Sequence, residues 1–305
     1  MSNYWTDYWL QGHLTSFGDD IKSNYTGTLF SKWQDFFESF KDEALVVVDI
    51  GTGNGALIDI AVNEVECQEP TFIGVDYANL KIGANLTQSN VSFLPNTPAE
   101  KLPFDDNSVD VVVSQFGIEY SDLTKSIPEV ERVLKEHGRV QWVMHDRNSS
   151  IVKPNSQIFD AIIALQEDNG PLNILRQLIN ALAKFGPQSV QAENCRNALN
   201  SSIQQVASSN QQGLYGTNFP SFLKAVMNPS VKFKDKKQML KLFEKEMKGQ
   251  FERLQDLLEA SLNSADKTKL IEALEQAGFD NINGEAINQD GSLAGYLLTA
   301  SKSAI

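Results

Sequence analysis

Apolar positions along this chain follow two periods. Short continuous apolar runs bounded by polar turns predict buried strands at residues 45–50, 71–76, 91–94, 109–114 and about 139–144. Helical spacing takes over at residues 56 to about 66 and returns after Ser150. Alternating strands and helices predict a sheet of parallel strands joined by right-handed crossovers. The chain closes with a predicted helix at 267–277, a Gly278-Phe279 stop, and strands around 282–287 and 293–301. The turn at Asn288-Gln289-Asp290-Gly291 makes these last two antiparallel.

Two flanking regions stand outside this alternation. At the N-terminus Tyr4, Trp5, Tyr8, Trp9, His13 and Phe17 form an aromatic cluster, with Trp5, Tyr8 and Trp9 on one face of a short helix. A second helix at about 25–40 carries Phe30, Trp33, Phe36, Phe37 and Phe40. Both helices suit a cap packed on the sheet, and some of the rings also suit a substrate pocket, for which Tyr4, Trp9 and His13 are candidates. Residues 151–263 read as almost wholly helical, with stripes at Ile158, Ile162, Ile163 and Leu165, at Leu172, Leu175, Leu178, Ile179 and Leu182, and at Cys195, Leu199, Ile203 and Val206. A long helix at about 236–262 adds Met239, Phe243, Met247, Phe251, Leu254, Leu258 and Leu262. Because the closing strands return to the sheet, this region is an insertion over the strand ends, placed to serve as a lid. The last stripe serves core packing first, with a homodimer contact as the alternative.

Composition narrows the class. With 305 residues and 41% hydrophobic content, the chain can bury a substantial core. A formal net charge of -13 and a pI near 4.7 argue against a nucleic-acid partner, which calls for a clustered basic face. Cys67 and Cys195 form neither a disulfide framework nor a metal-ligand spacing, so no metal is expected and a reducing cytoplasm fits. The first ten residues lack the basic-then-apolar order of a signal peptide, and no apolar run approaches a membrane span.

The candidate chemistry centres on Asp49-Ile50-Gly51-Thr52-Gly53-Asn54-Gly55, where the first strand runs into a helix. Alternate glycines let the backbone turn tightly and approach a ligand. The second strand ends in Asp76, about 20 residues beyond the turn, where a carboxylate meets a ribose diol. Asp76 also suits a helix N-cap for the segment from Ala78. Gly51-x-Gly53-x-x-Ala56 satisfies the dinucleotide fingerprint as well, so an NAD(P)-dependent oxidoreductase is an alternative. His145, at the end of the fifth strand, is a candidate base or substrate contact, or else a structural hydrogen bond. Glu119, Tyr120 and Asp146 are polar candidates at the same edge.

Taken together, the glycine turn, Gly74-Val75-Asp76, Ala99-Glu100-Lys101-Leu102-Pro103-Phe104, Val109-Asp110-Val111-Val112-Val113-Ser114, Glu129-Val130-Glu131-Arg132-Val133-Leu134-Lys135 and Gly138-Arg139-Val140 resemble the class I S-adenosylmethionine-dependent methyltransferases of the small-molecule, type 11 branch. The resemblance runs from about residue 45 to 143 and resumes near 270. It implies an α/β, Rossmann-like fold: a seven-stranded, mostly parallel sheet with an antiparallel last strand, plus the N-terminal cap and the helical insertion. The implied domains are a cap at 1–43, a core at 44–150 and 264–305, and a lid at 151–263. The cofactor would be S-adenosylmethionine, leaving S-adenosylhomocysteine as product. By resemblance Gly51, Gly53 and Gly55 accommodate its methionine part and Asp49 orders the turn. Asp76 holds the ribose, Tyr77 borders the adenine, Ala99 and Glu100 lie along the adenine edge, and Gln115 and Phe116 line the sulfonium side. No Asn/Asp-Pro-Pro-Tyr/Phe motif stands at the fourth-strand exit, where Ser114-Gln115-Phe116-Gly117 occurs, which disfavours DNA bases as acceptors. The expectation is methyl transfer to a small molecule in the cytoplasm, with a non-catalytic cofactor-binding protein as the remaining alternative.

Overall fold

A computed structural model describes residues 4–16 and 24–304, so Phe17 lies outside the described residues. The chain divides into two compact units, residues 1–151 with 259–305, and 152–258.

The first unit is built on one seven-stranded sheet in the order β3-β2-β1-β4-β5-β7-β6. Its strands are β1 Val46–Ile50, β2 Thr71–Val75, β3 Val91–Leu94, β4 Val109–Gln115, β5 Leu134–Met144, β6 Phe279–Gln289 and β7 Ser292–Lys302. Strands β1 to β5 pair in parallel, and β7 runs antiparallel to both β5 and β6, as expected. The apolar runs of β1 and β4 are buried because both faces of the sheet are covered. On one face α2 (Gly27–Glu38) and the helix after β1 pack Trp33, Phe37, Ile58 and Ile60 against Val47, Phe72, Val111 and Val113. On the other, α4 (Leu123–Val133) and α10 (Ser264–Gln276) pack Ile127, Val130, Leu270 and Leu274 against Val48, Val112, Val140 and Trp142. Since the order steps outward from β1 in both directions, the reversal lies between β1 and β4, and ligands of such sheets bind at the strands' carboxyl ends there.

Three elements differ from the sequence expectation. Strand β5 begins at Leu134, not near 139, because the chain extends through His137, whose φ of +62° marks an irregularity where the register with β4 jumps between Val109 and Val111. The helix after the glycine turn is α3 (Ala56–Asp59) continued by one π-helical turn, Ile60–Glu64. No helix follows from Ala78, so Asp76 is not a helix cap. Asn79, Gly83 and Asn85 are weak helix formers, and side-chain hydrogen bonds hold this stretch instead. Asp59 accepts from Asn24 at 2.8 Å, Asn63 at 2.8 Å and Asn85 at 2.6 Å, tying α3 to both neighbouring loops.

The second unit contains α5 (Val152–Gln166), α6 (Pro171–Phe185), α7 (Val190–Gly216), α8 (Phe219–Val226) and most of α9 (Phe233–Ala260). The predicted stripes bury Ile162, Leu165, Leu172, Leu175, Leu178, Ile179, Leu182, Leu199, Val206 and Met247, whereas Ile163 faces solvent. The polar helix α7 breaks at Asn210, whose side chain bonds Gln157 O and the Gly213 N–H instead of leaving the backbone to the helix.

Candidate functional site

The first strand enters its turn fully buried, and each of the three glycines serves a different end. Gly51, Gly53 and Gly55 all have positive φ, at 69°, 52° and 91°. A Cβ on Gly51 would lie 2.6 Å from the Gly117 Cα, so this glycine lets the β1 turn touch the β4 exit. A Cβ on Gly55 would meet Leu86 and Phe93, so packing against later segments requires this glycine. Gly53 presents a bare backbone face to the ring of Trp9, whose carbons would lie 2.7 Å from an added Cβ.

Asp76 shapes the same turn. Its two oxygens accept from Gly53 N and Ala78 N, each at 2.8 Å, which leaves further lone pairs on both. Burial raises its pKa, and the two backbone donors oppose that. Asp49 is 2% exposed, and neither of its oxygens makes a hydrogen bond of good geometry. Burial raises the Asp49 carboxyl to about 7, with the Thr52 hydroxyl offsetting part of the shift and the Asp76 charge adding to it.

The aromatic N-terminal helix α1 (Tyr4–Trp9) lies on this turn. The Asn54 amide donates to the carbonyls of Trp9 at 2.9 Å and His13 at 2.7 Å, and Asn54 Oδ1 accepts from Lys81 N. Trp9, a sequence candidate for substrate, therefore sits on the cofactor turn. His13 stacks on Tyr8 at 4.5 Å, and Tyr4 is half-buried at the start of the helix. Trp5, placed by the sequence on the same helix face as Trp9 but not among the substrate candidates, meets Tyr120 edge-on at 5.6 Å. Trp9, Leu14, Tyr25, Asp49, Thr52, Gln115 and Phe116 enclose a cavity of about 20 Å3, room for one water molecule.

Beyond β4 the chain makes a single 3-10 turn, Ile118–Tyr120. Gln115 accepts from the indole N–H of Trp33 through Oε1, and its Nε2 has no partner. Phe116 stacks flat on His145, 4.1 Å between ring centres at 4°. Tyr120 meets the same imidazole edge-on at 6.0 Å. Glu119 is 5% exposed; its Oε1 accepts from the His145 backbone N–H at 2.9 Å and its Oε2 has no partner. Burial lifts the Glu119 carboxyl to about 7 against three opposing backbone donors. The His145 imidazole is pushed down to about 3 by burial alone, and its Nδ1 has no partner. It is therefore neutral and a poor base at physiological pH, and the hydrogen bond at the strand end comes from its backbone and not its ring. Asp146 instead pairs with Lys267. Ala99 is buried, Tyr77 is 48% exposed, and Glu100 accepts from Asp122 N at 2.8 Å, which ties it to the start of α4.

Residues 48–141 match the family described as "Methyltransferase domain". An uncharacterised methyltransferase of Bacillus subtilis, YcgJ, is 36% identical over 107 residues, 32% of this chain and 40% of that protein. The ubiquinone/menaquinone biosynthesis C-methyltransferase UbiE of Citrifermentans bemidjiense is 33% identical over 104 residues, 31% of this chain and 43% of that protein. The aligned stretch thus spans about two-fifths of these curated relatives' length. Among solved structures, Bacillus subtilis YcgJ aligns with 90% of this chain and 100% of its own at 18% identity and a TM-score of 0.37. Burkholderia thailandensis 1,6-didemethyltoxoflavin-N1-methyltransferase aligns with 90% of this chain and 78% of its own at 11% identity and a TM-score of 0.44. The family match falls on β1 to β5, the strands that carry the glycine turn, Asp76 and the β4 exit. Residues 48–141 are thus similar to the methyltransferase domain, and the family match is confined to that part of the chain.

Proposed function

We propose that the protein transfers a methyl group from S-adenosylmethionine to a small-molecule acceptor at the carboxyl edge of β1, β4 and β5. One observation carries this reading. Among the described residues, five of the seven buried side chains that lack hydrogen-bond partners stand there: Asp49 near the end of β1 and Thr52 just after it, Gln115 at the end of β4 and Glu119 after it, and His145 just after β5; Gln88 and Trp142 lie elsewhere. Buried polar atoms without partners are costly, and a ligand is one way of satisfying them.

The residues fit the cofactor once the Trp9 ring leaves Gly53. Gly53 then offers its backbone face and Asp49 its carboxylate for the methionine end; Asp76 keeps lone pairs for the ribose hydroxyls; Tyr77, Ala99 and Glu100 border the adenine; and Gln115 with Phe116 lines the sulfonium side. The cofactor supplies a methyl group on a sulfonium, whose leaving group is a neutral thioether. The protein's part is to bind, align the nucleophile and exclude water. Ring contacts from Trp5 to Tyr120 and from Phe116 to His145 make the acceptor side apolar. A flat acceptor suits those rings. The named role of UbiE in ubiquinone/menaquinone biosynthesis supports a small acceptor of that kind.

Two assays test the reading. S-adenosylhomocysteine at a hundred times its Kd stabilises a protein by about 2.7 kcal/mol, so it should raise Tm while NADH does not. Incubation of protein and S-adenosylmethionine with a metabolite extract should yield a product heavier by CH2. A thermal shift with NADH alone contradicts the proposal.

A further inference from the structure

We propose that Glu119 is the group that takes the proton from the acceptor, and that the acceptor therefore carries a hydrogen on its nucleophilic atom: a hydroxyl, a thiol or a ring N–H. The inference rests on the methyltransferase reading of the same site.

Three observations carry it. Glu119 is held in a fixed place, since its Oε1 takes the His145 backbone N–H at 2.9 Å while Oε2 is buried and unused. Glu119 is only 5% exposed and its backbone partner His145 stacks on Phe116 and meets Tyr120 edge-on, so little water competes for that oxygen. The 3-10 turn bearing Glu119 is anchored on the glycine turn, because Gly117 packs against Gly51 and the Ile118 N–H donates to Ser114 Oγ, which in turn donates to Ile50 O. The carboxyl thus stands between the cofactor turn and the acceptor side. His145, the other candidate, is the weaker base because burial lowers its pKa to about 3.

Other titratable groups surround the turn. From β5 come His145 and Asp146, the latter paired with Lys267 of α10; from the turn itself comes Tyr120; from α4 the surface pair Asp122 and Lys125; from the β1 exit Asp49; and from β7 Tyr296. Burial raises the Glu119 pKa and backbone donors, the His145 N–H first among them, oppose it; no charged side chain takes part.

The step balances. A lone pair on the acceptor atom forms the new bond to the methyl carbon as the C–S bond breaks, and that bonding pair stays on sulfur. The acceptor's proton passes to Glu119, so one cation and one carboxylate become three neutral species. A sulfonium beside a buried carboxylate favours its charged form, whereas the thioether of the product does not. Glu119 is therefore armed as a base when the donor is bound and relaxes when the product is.

Infrared difference spectra of the carboxylic C=O band, recorded from pH 5 to 9 on the full chain, test this without an acceptor. Subtracting the spectrum of Glu119→Gln isolates Glu119 from Asp49, which is also raised to about 7. We expect a midpoint near 7 alone and with S-adenosylhomocysteine, and a midpoint at least one pH unit lower with S-adenosylmethionine. Equal midpoints with the two ligands, or no Glu119 band at all, overturn the proposal. Should Glu119→Gln fail to fold, Glu119→Asp displaces the band and serves the same subtraction. Calorimetry on the same samples separates the two readings: absence of heat with either ligand removes the cofactor assignment itself, whereas binding without a midpoint difference removes only the role of Glu119.

Discussion

The two halves of the sheet's carboxyl edge are built on different principles. At β1 and β2 the backbone shapes the site: glycines at positive φ, amide donors aimed at Asp76, and a bare face at Gly53. At β4 and β5 side chains shape it, through ring stacking and burial of Glu119 and His145. A backbone-built site has little tolerance for added atoms, and here it also carries a carboxyl, Asp49, that burial raises to about 7. A side-chain-built site tolerates isosteric change and responds to pH, because its ionisable groups are shifted by burial.

The largest expected effect breaks the first half. Gly51→Val places a Cβ 2.6 Å from the Gly117 backbone at a φ of +69°, where neither partner can yield, and should cost roughly 4 kcal/mol or more of stability in denaturant titration. Gly186→Ala is the control for backbone strain alone, since it has φ +84° and ψ 167°, a region nearly confined to glycine, but nothing within 4 Å, and should cost about 1–3 kcal/mol.

The next effects test the second half. The Glu119 pKa is raised on folding, from an ordinary 4.5 to about 7, so its contribution is fully present below 4.5 and is lost as pH rises through 7. Glu119→Gln should remove that loss and gain about 3 kcal/mol relative to wild type between pH 4.5 and 8. His145 has the opposite sign: its pKa is depressed from 6.5 to about 3, so its contribution holds above 6.5 and is lost as pH falls toward 3. His145→Phe keeps the stack on Phe116 and should spare the protein about 2 kcal/mol of acid destabilisation at pH 5. If neither variant changes the pH dependence of Tm, the contrast between the halves disappears.

The smallest effect is spectroscopic. Trp9 fills the face of Gly53 that a cofactor must use, so S-adenosylhomocysteine should change the tryptophan emission, and Trp9→Phe should abolish most of that change. An unaltered change in Trp9→Phe would mean that the ring does not move.

The backbone-built half was the legible one. A strand followed by Gly51, Gly53 and Gly55, and a second strand closing on Asp76, announce themselves because few other residue types permit those conformations. The sequence could not separate the glycines by role, since Gly55 is required by Leu86 and Phe93, which arrive from later segments. The acceptor half depends on burial, which no local pattern discloses: His145 looked like a base until its surroundings removed its charge. Trp9 on Gly53 and Trp5 on Tyr120 were equally hidden, because helical spacing shows which rings share a face but not which ring meets which turn. The missing helix after Asp76 was obscured by side-chain bonds such as Asn85 to Asp59, which form only in the folded chain.

The most direct test of the central claim is calorimetric titration of S-adenosylhomocysteine into wild type and Asp76→Asn. The account predicts one site per chain in the wild type and at least tenfold weaker binding in the variant, about 1.4 kcal/mol, with Tm little changed. Equal affinity for the two proteins, or no binding to the wild type, contradicts it.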